Sequence, residues 1–158
     1  MNQTKTLSIA IPSVNTTIKY ILFLLIAVFA PISLHQNLTG PIVNATLLMA
    51  VSYFGFKKAM YIGLIPSLVS ISIGLLPGAL APMVPFIIAG NLILMFVFAG
   101  LKPKNYWLAV LTGSTLKFVF LFGTSYLIMG KFVSMMAYPQ LYSAIIGGIL
   151  ASFFLAKN

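Results

Sequence analysis

The sequence predicts an all-α membrane protein, a bundle of six transmembrane helices with both termini on the cytoplasmic side. Three observations lead there: long apolar stretches at intervals that suit bilayer crossings, very little charge, and lysines confined almost entirely to alternate connections. Hydrophobic residues make up 61% of the 158, charged residues 6%, and mean hydropathy is +1.10. A water-soluble domain carries about 25% charged residues, and a surface this apolar would aggregate in water. Lipid removes that difficulty. At roughly 20 residues per crossing the length allows five or six helices. The apolar stretches do not alternate as the strands of a β-barrel must.

All nine charged side chains are lysines; Asp, Glu, Arg and Cys are absent. Disulfides, thiolate metal ligands and cysteine nucleophiles are thereby excluded. Carboxylates are equally missing from acid–base, two-metal and proton-relay roles. The lysines lie scattered between apolar stretches and form no basic stripe, so nucleic acid is not an expected partner; membrane lipid is.

Residues 1–17 are mixed and polar, with Pro12, and read as a cytoplasmic tail; residues 18–158 read as one transmembrane domain. The first helix is expected from about Ile18 to Leu34, with Pro31 bending or ending its last turn. Its run Tyr20–Ala30 has the look of a signal sequence, but Pro31 would follow the cut, so it reads as a retained helix. His35-Gln36-Asn37-Leu38-Thr39-Gly40-Pro41 has the composition of a polar loop. A short second helix follows over about Ile42 to Phe56, closed by Lys57-Lys58. The third runs from about Ala59 to Leu76, with Pro66 and serines at 67, 70 and 72. Pro77-Gly78 reads as a tight turn. The fourth runs from about Ala79 to Leu101, and Pro82 and Pro85 predict a distorted first turn or two. Lys102-Pro103-Lys104-Asn105 is a loop, Tyr106 to Met129 is the fifth helix, and Phe132–Tyr138 is loop or interfacial turn. Pro139 to Ala156 is the sixth.

Six crossings place Lys5, Lys19, Lys57, Lys58, Lys102, Lys104 and Lys157 on one side, and in the opposite connections only Lys131. Positive charge is retained on the cytoplasmic side, so helix count and charge bias agree. Tyr106 and Trp107 suit the cytoplasmic interfacial belt.

The polar residues within the apolar stretches gather toward the outer side. Lys117 stands twelve residues before Met129, about 18 Å from the outer end of its helix, and Asn91 lies nine residues past Pro82, about 14 Å below it. Both are therefore near the middle of a core about 30 Å thick. A lysine there costs about 3 kcal/mol or more on insertion scales, and no carboxylate in the chain can pair with it. It either snorkels, loses its proton, lies in a wet cavity, or meets an anion from a ligand or another subunit. Asn91 is placed to hydrogen-bond beside it. Asn44 and Gln140, near the outer ends of the second and sixth helices, are ligand contacts or interhelical hydrogen-bonding groups. His35 and Gln36 are ligand or lid residues, or ordinary surface and capping residues; a lone histidine makes no metal site. Tyr126, about two turns outward from Lys117, completes the candidates. Ala27 with Ala30, and Gly147-Gly148 with Ala144 and Ala151, permit close helix approach, within the bundle or to a membrane partner.

Several segments carry a family likeness: Gln36-Asn37-Leu38-Thr39-Gly40-Pro41-Ile42-Val43-Asn44-Ala45, then Gly63-Leu64-Ile65-Pro66-Ser67, Gly74-Leu75-Leu76-Pro77, Ala81-Pro82-Met83-Val84-Pro85-Phe86-Ile87 and Gly90-Asn91, then Leu116-Lys117-Phe118, Met135-Met136, Pro139-Gln140-Leu141 and Gly147-Gly148. Over about residues 30–150 the chain resembles the substrate-binding S component of energy-coupling factor (ECF) type vitamin and micronutrient transporters. The resemblance implies six helices with both termini inside, and a solute site in the outer half under the loop after the first helix. It also implies a partner module of a transmembrane coupling protein and two ATPase subunits, with the S component toppling in the membrane as ATP is hydrolysed. This chain has no phosphate-cradling glycine–lysine motif of its own. The family's small-residue patch has alanines four apart, whereas Ala27 and Ala30 are three apart. The expected solute is small, vitamin-like, and anionic or a polar heterocycle, captured from outside the cell. No cofactor is expected, and no enzyme activity, since no nucleophile–base pair or metal set appears. The alternatives are a self-sufficient small channel or transporter, and a membrane scaffold or accessory protein that binds no solute.

Overall fold

The computed structural model describes residues 14–74, 78–130 and 133–155. They form α1 (Val14–Ser33), α2 (Gln36–Phe54), α3 (Phe56–Ser72), a 3₁₀ segment (Gly78–Met83), α4 (Val84–Leu101), α5 (Tyr106–Met129) and α6 (Val133–Leu155). Lys5, Pro77, Lys131 and Lys157, and most of the expected N-terminal tail, lie outside the described residues.

Among the described residues, four segments are long and apolar enough to cross a bilayer: Val14–Ser33, Ala81–Leu101, Tyr106–Ile128 and Ala137–Leu155. The chain is a multi-pass membrane protein. The two helices outside that set have a physical reason to differ. α3 has 17 residues, about 26 Å at the helical rise of about 1.5 Å per residue. α2 sits at the centre, packed by α1, α3, α4 and α6. It buries a nearly continuous run from Pro41 to Val51, including Asn44 and Thr46. A helix surrounded by protein needs no lipid-compatible surface, so it can carry polar side chains.

The central packing depends on glycine. A Cβ on Gly147 would stand 2.8 Å from the backbone nitrogen of Ala45 and 2.9 Å from the carbonyl oxygen of Pro41. One on Gly40 would stand 2.8 Å from the Cβ of Ser143. α2 and α6 therefore approach to near backbone contact, as small-residue faces allow in membranes. Ala144 and Ala151 are fully buried. Ala27 and Ala30 are also buried within the bundle, so the small residues of α1 serve internal packing. The face α1 leaves open carries Ile18, Leu22, Leu25 and Phe29. Gly55 links α2 to α3 with φ of +75°, a left-handed conformation that glycine adopts without strain.

Two helix starts differ from expectation. α2 begins at Gln36 instead of near Ile42, so residues 36–41 are helix and Pro41 lies inside it. Thr39 secures this start: its hydroxyl lies 3.3, 3.1 and 3.2 Å from the carbonyl oxygens of Ala30, Leu34 and His35. α6 begins at Val133 and carries Pro139 internally. The distortion expected at Pro82 and Pro85 is the 3₁₀ segment. Short connections make successive helices antiparallel. Lys19, Lys57, Lys58, Lys102 and Lys104 consequently share one end, where the Tyr20 hydroxyl donates to the carbonyl of Lys58 (3.1 Å).

Candidate functional site

At the end opposite those lysines, α2, α3, α4 and α6 surround an open cavity of about 650 Å³. Its polar lining includes Asn44, Ser67, Ser70, Asn91, Gln140 and Ser143, and its apolar walls include Val43, Ile87 and Ile146. Three helix-interior prolines, Pro41, Pro66 and Pro139, also border it. Each removes one backbone donor from its helix and frees a carbonyl. Irregular backbone of this kind is tolerated at membrane depth where it lines a cavity.

Behind the wall stands Lys117. It is 1% exposed, and its Nζ donates to Oδ1 of Asn44 (2.9 Å) and Oδ1 of Asn91 (2.7 Å). An ammonium only donates, so both carboxamides must turn their oxygens to it and their N–H groups away. The N–H groups of Asn44 are used within the protein, donating to the carbonyl of Gly40 (2.9 Å) and to Oγ of Ser143 (3.1 Å). Ser143 in turn donates to the carbonyl of Gln140 (3.1 Å). The N–H groups of Asn91 have no such partner among the described residues, although Asn91 is 3% exposed and borders the cavity. Asn91 therefore borders the cavity with its N–H groups unused among the described residues, whereas Asn44 is held on both sides.

The position of the lysine follows from close packing. A Cβ on Gly90 would lie 3.3 Å from Cγ of Lys117, so glycine one residue before Asn91 gives the lysine stem its path past α4. No side-chain carboxylate exists to neutralise the charge. The lysine thus stands one carboxamide behind the cavity wall, with no side-chain carboxylate beside it.

Of the sequence candidates, the structure brings Lys117, Asn91, Asn44 and Gln140 together. It does not bring Tyr126 there. Tyr126 is 66% exposed, because nine residues beyond Lys117 is about two and a half helical turns and lands on the opposite face of α5. His35 is exposed at the start of α2, makes no side-chain cap, and is not on the cavity wall. Gln36 is the first residue of α2, and its side chain lies outside the described residues. Ser143 was not among the sequence candidates; the signal for it is its spacing of three from Gln140, which puts both on one face of α6. Ser67 and Ser70 border the same cavity, and Ser70 also bonds back to the carbonyl of Pro66 (2.7 Å). Compared with protein-family models, with curated proteins and with solved structures, the chain finds no match, and its function has to be argued from this site.

Proposed function

We propose that the chain captures a small acceptor-rich solute, anionic or a polar heterocycle, in the cavity beside Asn91 and Lys117, and serves as the solute-binding subunit of an ECF-type transporter. The observation that carries this reading is the buried ammonium held by two carboxamide oxygens against a cavity wall. A positive charge fixed behind outward-turned N–H groups attracts a carboxylate, a carbonyl or a ring nitrogen. Apolar walls with a few convergent polar groups are the usual make-up of a small-molecule site. A bound solute would displace water from the cavity, which strengthens each polar contact.

The lysine-rich end is cytoplasmic by the positive-inside rule, so the cavity opens to the outside and both termini lie within. Delivery then needs energy from partners: a transmembrane coupling protein and two ATPase subunits, as the resemblance implies. The buried Ala27 and Ala30 leave the open apolar face of α1, around Leu22, Leu25 and Phe29, as the surface for the coupling protein. The chain itself performs no chemistry on its solute.

The test is purification under mild detergent from cells that contain the native partners. The expected result is one retained small molecule, released on denaturation and identified by mass spectrometry, and a complex with coupling and ATPase proteins. The Lys117→Met variant should fold and lose the molecule. Retention of the molecule by that variant would count against the site. Solute flux into vesicles holding only this chain, without ATP, would replace the subunit reading with a self-sufficient transporter.

A further inference from the structure

The lysine-rich end holds a second pocket that the solute site does not use. It encloses about 520 Å³ and is lined by Lys19, Ser52, Tyr53, Lys102 and Leu155. These residues come from the start of α1, the end of α2, the α4–α5 connection and the end of α6. α1 and α6 both pack on α2 and make little contact with each other, so the pocket is the mouth of a groove between them, floored by the end of α2.

Its chemistry is cationic and aromatic. The Lys19 ammonium sits 5.2 Å from the centroid of the Tyr53 ring, a cation–π contact that fixes its position. Lys102 is partly buried, and that desolvation lowers its pKa. No side-chain carboxylate exists in the chain to supply one. The pocket lies at the level where interfacial aromatics belong, close to Tyr20, which donates to the carbonyl of Lys58 at the same end. Toward the membrane the neighbouring face of α6 becomes apolar: Phe153 and Phe154 are exposed.

We infer that this pocket binds the phosphate headgroup of an anionic membrane lipid, held between Lys19 and Lys102, with its acyl chains along the exposed Phe153 and Phe154 of α6. Basic pockets between membrane helices recognise such headgroups. A phosphodiester supplies the missing negative charge and accepts from both ammonium groups. The apolar face below suits acyl chains and offers nothing to a soluble anion.

The experiment uses the full chain in micelles, titrated separately with phosphatidylglycerol, phosphatidylcholine and inorganic phosphate, with bound lipid read by native mass spectrometry. The expected result is preferential retention of phosphatidylglycerol. Affinity should fall about tenfold in the K19Q/K102Q double variant, since each lysine near a headgroup contributes several-fold. It should fall less than about twofold in K57Q/K58Q, which removes the same charge from the same end outside the pocket. The K19R/K102R variant should keep binding; it and the single variant K102Q serve as the reading if K19Q/K102Q does not fold. Equal losses in K19Q/K102Q and K57Q/K58Q would show diffuse attraction and overturn the site. So would equal retention of phosphatidylcholine. Displacement of the lipid by inorganic phosphate at comparable concentration would reassign the pocket to a soluble anion.

Discussion

Lys117 lies wholly inside the bundle and is held by two carboxamide oxygens, whereas Lys102, at the opposite end, keeps part of its surface open and borders a groove that faces the membrane surface. Both are lysines without a carboxylate, yet the protein treats them differently. The inner one is solvated by neutral side chains that were positioned to receive it, at the cost of holding Asn44 and Asn91 in one orientation. The outer one is left for the surroundings to satisfy. A charge that its own chain has solvated can orient a neighbouring donor; a charge left unsatisfied recruits a partner from outside. In a protein whose side chains include no acid, what the fold places around each lysine decides which groups it can meet.

Substitutions at the two ends separate these roles. The largest effect is expected at the inner lysine. Lys117→Met should reduce the amount of solute co-purified per mole of protein by about a hundredfold, the upper range for removing a hydrogen bond to a charged group, because Asn91 loses the donor that fixes its orientation. Asn91→Asp sharpens the same point, because a carboxylate neutralises the ammonium in place. It should cut retention of an anionic solute by more than tenfold, on the order of a lost charge-assisted hydrogen bond, while folded yield by size-exclusion chromatography is kept. Gly147→Leu tests whether cavity geometry depends on the close approach of α2 and α6. Overpacking at that contact should cost about 1–3 kcal/mol, measured as a lower midpoint in denaturing-detergent titration. At the other end, K19Q/K102Q should leave solute retention within about twofold, as expected for sites that share no residues. The smallest effect belongs to Tyr126→Phe, which faces away from the cavity and should change neither solute retention nor stability by more than about 0.5 kcal/mol.

The helices that face lipid were the legible ones. α5 runs from Tyr106 to Met129 as its composition predicts, because Lys-Pro-Lys breaks the chain before it and Asn105 caps it, its side chain accepting from the backbone nitrogen of Leu108 at 2.9 Å. The helix starts that border the cavity were not. Residues 36–41 have the composition of a loop because Asn37, Thr39 and Pro41 line a cavity, and Pro139, where composition starts the sixth helix, lines it too; local propensity registers only the exposure such residues usually imply. The same division holds for the site. Lys117, Asn91 and Asn44 stand out by elimination, since polar groups are costly at mid-membrane. Ser143 does not, because serine in a membrane helix commonly bonds its own backbone. Tyr126 is near Lys117 in distance along the helix, but its angle around the axis turns it to the exposed face.

The order of residues along the chain adds a consequence for biogenesis. Asn44 and Asn91 both precede Lys117, so the ribosome delivers the two acceptors before the cation that needs them. When α5 leaves the translocon, α2 and α4 already offer the seat for its lysine. A rearrangement of the gene that moved α5 ahead of them would present the lysine to the bilayer before either carboxamide was made, at an insertion cost of about 3 kcal/mol.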